Sequence, residues 1–296
     1  MFNELFAIMA PTIIGTAIGW CWARKGLAFP AEFVSKLVMN IGTPCLIVSA
    51  MAKVKLSTDI MASVSLTYAL VMLASLAIGL LIIRLLKLDV ATFLPAVLFP
   101  NTGNMGLPLC LFAFGQEGLA LGLGAFMVMM LAQFTLGLLI VAPASGTWKT
   151  RSLALAKHPV ILAMALAVLM LIFQVRLPRW AANTVDIMGG FAIPLMMITL
   201  GVSLATLRLT SWPRSLVFSL LRVAGGAALG FVMAGLMHLD GAAKGVVILQ
   251  AAMPAAVMNY VLALEYRRGP EDVAAIVLLS TLLSFLLIPA LLLYLL

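Results

Sequence analysis

The chain has 296 residues, of which 64% are hydrophobic and only 9% charged, with a mean hydropathy of +1.20. So little polar surface cannot cover a water-soluble domain of this length, which excludes a single soluble core and leaves an all-α polytopic membrane protein. The net charge of +8 does not point to nucleic acid, because the basic residues fall in short stretches between apolar runs, where they set orientation in a bilayer.

A bilayer span needs about twenty apolar residues. On that measure the chain reads as ten helices, at 3–23, 31–52, 60–86, 90–114, 117–141, 158–176, 179–205, 213–237, 241–264 and 271–295. The opening Met1-Phe2-Asn3-Glu4 lacks the basic region and small-residue cleavage site of a signal peptide, so the first helix is expected to be retained. Near the start of the second, Glu32 and Lys36 stand one turn apart and read as an interfacial ion pair. Cys21, Cys45 and Cys110 lie in apolar segments without CxxC spacing and read as small core residues. The longest connection, around 143–157, carries Ser, Gly, Thr, Trp and basic residues and marks the midpoint.

Alternate connections collect Arg24, Lys25, Arg84, Lys87, Lys149, Arg151, Lys157, Arg208, Arg214, Arg267 and Arg268 on one side, against Lys53, Lys55, Arg176, Arg179 and Lys244 on the other. The richer side is expected to be cytoplasmic, which leaves both termini outside.

The fourth expected helix is not a plain span. Phe99-Pro100-Asn101-Thr102-Gly103-Asn104-Met105-Gly106-Leu107-Pro108 sets prolines, glycines and three amide or hydroxyl side chains where aliphatic residues would suit lipid. Proline removes a backbone donor and clashes with the preceding turn, while glycine eases irregular backbone. At membrane depth, broken backbone is tolerated only where protein or a water-filled cavity covers it. The segment is therefore expected to unwind near the midplane with its polar groups facing a ligand. A proline kink packed against small residues is the alternative.

The second half resembles the first weakly. Ile41-Gly42-Thr43-Pro44-Cys45-Leu46 has a partner in Phe191-Ala192-Ile193-Pro194-Leu195-Met196, with Ser49 and Thr199 at equal offsets beyond the prolines. The fourth helix matches the ninth, Gln250-Ala251-Ala252-Met253-Pro254-Ala255-Ala256-Val257-Met258-Asn259-Tyr260. Each is followed by a Gly-and-acid loop, Gly115-Gln116-Glu117-Gly118 and Gly269-Pro270-Glu271-Asp272. Five helices separate the repeats, so the expectation is two inverted five-helix repeats with broken, crossing helices 4 and 9, a sequence pointer to a secondary-transporter site. Matching the loops pairs Pro100 with Pro254, whereas matching the midplane break pairs Pro108 with Asn259; both registers stay open.

Two antiparallel spans unwound at one depth leave four half-helices. Their N-terminal ends carry free N–H groups and roughly half a positive charge each, which suits an anion, while C-terminal ends and unwound carbonyls suit a cation. Asn101, Thr102, Gly103, Asn104, Pro108, Pro254 and Asn259 are the candidate substrate-binding residues, with Met258 and Tyr260 lining the apolar part and Gln250 on the approach. Arg222, well inside the eighth helix, either counters a carboxylate, orients the ninth helix or snorkels to the headgroups. Gln133 and Thr135 read as packing contacts. No His, Cys or acid cluster has metal spacing, and no GxSxG, HExxH or Walker-type loop occurs, so no metal, cofactor or enzymatic reaction is expected.

The run Asn101-Thr102-Gly103-Asn104-Met105-Gly106-Leu107-Pro108-Leu109 with its Gly-Gln-Glu-Gly loop resembles the auxin efflux carrier family, which includes plant PIN carriers and bacterial malonate or malate permeases. Residues 250–266 are similar too, except that PIN-type ninth helices carry a second proline where this chain has Asn259. The resemblance implies a fold shared with sodium/proton antiporters and bile-acid sodium symporters. It implies scaffold helices 1–2 (1–57) and 6–7 (158–210), transport-domain helices 3–5 (58–142) and 8–10 (211–296), and a cytoplasmic linker at 143–157. It further implies an elevator motion and a homodimer formed through the scaffold, where Pro44 and Pro194 would bend helices. The lack of a long central loop suggests a bacterial inner-membrane member.

The expected function is secondary transport of a small organic anion, a short dicarboxylate or an aromatic carboxylate. Sodium or proton coupling stays open. The alternatives are a sodium-coupled symporter of larger amphipathic acids and a membrane sensor that binds the anion without moving it.

Overall fold

The computed structural model describes residues 2–53, 57–141, 157–173, 175, 177–207 and 212–296. Nearly all of the expected linker at 143–157 lies outside these, as do Lys55, Lys149, Arg151, Arg176 and Arg208.

The described chain is helical throughout. Its helices are α1 (Phe2–Arg24), α2 (Ala31–Lys53), α3 (Thr58–Leu85), α4 (Val90–Leu98), α5 (102–114) and α6 (116–141). After the linker come α7 (Pro159–Phe173), α8 (Arg179–Gly190), α9 (Ala192–Thr206) and α10 (Trp212–Leu236). The last are α11 (Gly241–Ala251), α12 (Val257–Glu265) and α13 (Pro270–Leu295). Side chains open several of them. Ser57 Oγ accepts from the amide of Ile60 at 3.2 Å, Asp89 Oδ2 from Thr92 at 3.0 Å and His158 Nδ1 from Val160 at 3.3 Å, each meeting a first-turn donor that has no partner within its helix. Gly115, at φ 65° and ψ −155°, cuts α5 from α6 in a region of backbone space reserved for glycine. Glu32 and Lys36 form the expected surface pair at 2.6 Å.

Seven helices among the described residues are long and apolar enough to cross a membrane, with Pro159–Met170 and Gly241–Ala251 as shorter apolar ones. Four of the ten expected spans depart from a single long helix. The fourth is divided into α4 and α5, the ninth into α11 and α12, and the sixth is the fifteen-residue α7. The seventh turns at Phe191, three residues before Pro194, into α8 and α9.

Packing sorts the helices into two groups. In one, α1 lies on α9 with Gly19 against Ile198 and Gly201 against Thr16, and α2 lies on both α7 and α8. Such close backbone approach supplies the van der Waals contact that holds helices together where lipid gives no hydrophobic drive. In the other, α3, α4, α10, α11 and α13 pack on one another, with α5, α6 and α12 between them. The groups meet where α9 touches residues 102–106 and where α1 and α2 reach the segment containing α5 and α6.

Candidate functional site

The gap between α4 and α5, at 99–101, and that between α11 and α12, at 252–256, lie against each other. Pro100 and Ala255 form an isolated antiparallel bridge. The amide of Asn101 donates to Pro254 O at 2.7 Å, and that of Ala256 to Phe99 O at 3.0 Å. The amide of Ala255 donates to Ser280 Oγ of α13 at 3.1 Å. Each broken segment thus satisfies part of the other's exposed backbone, which buried peptide groups require. Pro100 and Pro254 fall at the break and cost the bridge no donor. The break therefore follows the register that pairs these two prolines. Pro108 instead sits buried inside the continuous helix after the π-turn Thr102–Gly106, so it does not mark the unwound point.

Two helix N-termini open at this crossing. At the start of α5 the amides of Gly103 and Asn104 make no hydrogen bond among the described residues, and at the start of α12 neither do those of Val257 and Met258. Beside the first pair, Asn101 Nδ2 and Thr102 Oγ1 also have no partner, although Asn101 is 4% exposed and Thr102 0%. A buried polar atom left unpaired costs about 1–3 kcal/mol. Asn104 is half-buried on the next turn.

Asn259 is placed differently. Its Nδ2 donates to Phe99 O at 2.9 Å, and its Oδ1 accepts from Gln133 Nε2 at 3.3 Å. Both ends of the carboxamide are occupied, so this residue is a strut between α4, α6 and α12. Gln133 is the residue that sequence reasoning passed over as packing. The signal was there, a lone amide in an apolar helix, but its partner 126 positions away was not visible. Ser280 was missed for the same reason.

Arg222 is 2% exposed, which rules out snorkelling. Its guanidinium donates to Val97 O, in the last turn of α4, and to Ala251 O, the last residue of α11, at 2.5 Å for the second. Both terminal nitrogens are thereby committed to backbone carbonyls rather than offered as a counter-charge, and of the alternatives drawn from the sequence it is the orienting one that the geometry matches. Gly226 makes the approach feasible: a Cβ there would run into Ala251 O and Arg222 Nη2. Arg222, Gln133 and Thr102 each stand in a π-turn, Leu221–Gly225, Gln133–Gly137 and Thr102–Gly106, and such bulges re-aim side chains out of regular helical register.

Gln250 is not on an approach path. It is 0% exposed, wedged beside Gly106, Gly122 and the Cys110 thiol, with no nitrogen or oxygen partner for either amide atom among the described residues. Met258 is turned outward at 40% exposure and Tyr260 is partly exposed, so neither lines an enclosed apolar pocket. No group of three or more potential metal ligands occurs among the described residues.

Apolar helices in this number, two of them broken and bridged to each other, define a polytopic membrane protein built around a buried polar crossing. A family model described as "Membrane transport protein" matches twice, over residues 5–152 and 146–292. The chain belongs to that family, the one of the auxin efflux carriers. It is 25% identical over 278 residues to an uncharacterized transporter of Methanocaldococcus jannaschii, covering 87% of each chain. It is 29% identical over 199 residues to an uncharacterized transporter of Methanothermobacter thermautotrophicus, covering 64% of this chain and 63% of the other.

Proposed function

We propose that the protein is a secondary transporter of a small organic anion, held at the crossing by the N-terminal ends of α5 and α12. The observation that carries this reading is the set of unpaired donors there, the amides of Gly103, Asn104, Val257 and Met258 with Asn101 Nδ2 and Thr102 Oγ1. Helix N-termini present partial positive charge and directed N–H groups, and in a site shielded from water both act strongly. The chemistry around them favours an anion: none of the chain's ten carboxylates lies in 94–108 or 246–262. That also argues against a proton-relaying acid in the crossing and against a carboxylate-bound metal ion. Asn101, Thr102, Gly103 and Asn104 with the backbone amides of Val257 and Met258 are the ligand set of this reading, while Asn259, Pro254, Gln250 and Pro108 shape and brace it.

The substrate class is a short dicarboxylate of the malonate or malate kind or an aromatic carboxylate. Five-helix halves inserted in opposite senses account for two family-model matches, one per half, and for two broken helices that meet antiparallel. In this reading α1, α2 and α7–α9 form the scaffold, through which the protein dimerises, and the remaining helices carry the anion across by an elevator motion. The protein then resides in a bacterial inner membrane with its termini on the periplasmic side.

The test is a thermal-shift screen of organic acids on purified protein, followed by calorimetry. Thr102→Val and Asn104→Ala are expected to abolish stabilisation by the active acid while leaving the unliganded protein folded. Unchanged affinity in both variants overturns the site. Binding without counterflow in proteoliposomes would favour the sensor instead.

A further inference from the structure

The four half-helix ends at the crossing are not alike. The two N-termini are open, but the two C-termini, of α4 and α11, converge on one side chain. We propose that Arg222 is the resident cation of the crossing: its guanidinium occupies the place where a dissociable monovalent cation would otherwise join the two carbonyl ends, so the crossing needs no bound ion for its integrity.

Each helix C-terminus carries about half a negative charge on carbonyls that lack helical partners, and two such ends facing each other repel unless a cation sits between them. Carbonyl oxygens from unwound or terminal turns are the kind of ligand that binds sodium in broken-helix sites. Here Val97 O and Ala251 O, from the two ends, both accept from Arg222. The guanidinium is planar, always charged and supplies donors in a fixed fork, so it spans two carbonyls where an ammonium would act as a point charge. Burial reinforces the assignment. A charge with 2% exposure persists only when hydrogen-bonded, and no carboxylate lies in the stretches that form the crossing. A cavity of about 210 Å³ flanks the group, lined by Ser75, Gly79, Val97 and Gly226 among others, so the guanidinium is not held merely by close packing on every side. Its Nε is buried without a partner, so the guanidinium's hydrogen bonds among the described residues are those to the two carbonyl ends.

One consequence rests on the transporter reading: because the cation is covalently attached, no sodium ion accompanies the anion, and binding of the anion is unlinked to sodium. A monoanion at the N-terminal ends offsets the fixed positive charge, so the loaded crossing is closer to neutral than the empty one.

The experiment compares purified wild type, Arg222→Ala and Arg222→Lys by thermal unfolding in sodium, potassium and choline chloride at constant ionic strength, each with and without low-millimolar guanidinium chloride. The wild type is expected to unfold at the same temperature in all three salts. Arg222→Ala should lose roughly 5–10 °C and regain part of it with guanidinium or a small alkali cation but not with choline, and Arg222→Lys should fall between. A wild type selectively stabilised by sodium overturns the proposal. So does Arg222→Ala with wild-type stability, or a destabilised variant that no cation restores. If Arg222→Ala does not fold, the wild-type salt series and Arg222→Lys still decide. Loss of every response to organic anions with these salt results intact would sink the transport site and leave the resident cation standing.

Discussion

Asn259 offers the sharpest separation of bracing from binding. Asn259→Ala removes a carboxamide that donates to Phe99 O at 2.9 Å and accepts from Gln133 Nε2 at 3.3 Å. Phe99 O keeps the amide of Ala256, so that loss costs about 1 kcal/mol. Gln133, buried at 5% exposure, is left with a stranded donor at about 1–3 kcal/mol. Together the cost is about 2–4 kcal/mol, which lowers Tm by roughly 4–16 °C at the 2–4 °C per kcal/mol usual for chains somewhat shorter than this one. Gln133→Leu alone strands Asn259 Oδ1 for a similar penalty, whereas the double variant removes both groups and should be no worse than the worse single. The coupling energy is expected at about 1–2 kcal/mol. Thermal unfolding of the four proteins of the cycle measures it, and the active organic acid should raise the Tm of each by the same amount. Additive single effects, or an Asn259→Ala protein of normal stability that no longer responds to the acid, would refute the strut and return Asn259 to the ligand set.

Three further outcomes follow from the same contacts. Gly226→Ala places a methyl against Ala251 O and Arg222 Nη2, and the overpacking should cost about 1–3 kcal/mol in thermal unfolding. Gln250→Leu replaces a buried amide that has no nitrogen or oxygen partner by an apolar group of similar size and should stabilise the protein by about 1 kcal/mol, read as a higher Tm; a fall in acid affinity without that rise would make Gln250 a ligand. Burial holds the His158 pKa below its usual value, so its neutral form and the bond from Val160 to Nδ1 stabilise the protein above about pH 6.5 and are lost as pH falls through the lowered pKa; the protection of the Val160 amide against hydrogen exchange, taken relative to its intrinsic rate at each pH, should drop there and stay constant above it.

Much of this arrangement was legible in the sequence because membrane helices obey length and composition rules that few other elements do. Runs of aliphatic residues placed the ends of the long helices, such as α1, α3, α10 and α13, to within a few residues, and prolines with amides at 99–108 and 250–260 marked where helical hydrogen bonding fails. What could not be read is which polar group meets which. Asn101 and Asn259 look alike in sequence, yet one is left unpaired and the other is tied at both ends, because partners come from helices more than a hundred residues apart. Pro108 looked like a second break, but the π-turn ahead of it absorbs the missing donor within a continuous helix. Arg222 was ambiguous because depth alone does not say whether a guanidinium turns toward headgroups or toward carbonyls.

The hydrogen bonds at the crossing also bear on how the molecule would move. Arg222 on α10 binds α4 and α11; Asn259 on α12 binds the backbone after α4 and Gln133 on α6; Ser280 on α13 binds the gap before α12; Arg268 Nε reaches Val141 O at the end of α6 at 3.2 Å. In the other group, Asp186 on α8 accepts from Ser49 on α2 and pairs with Lys53 at 2.9 Å. Every one of these bonds stays inside its own group, while α9 meets residues 102–106 across the boundary by packing. Directional bonds resist sliding because each has a narrow range of distance and angle, whereas apolar contacts between helices exchange one neighbour for the next at little cost. A shear between the groups therefore preserves the crossing and its open N-termini intact, and a motion that split α4 from α11 would have to break both bonds of Arg222. If the transport reading proposed above holds, that asymmetry is the physical ground for expecting the crossing and whatever it binds to travel as one body.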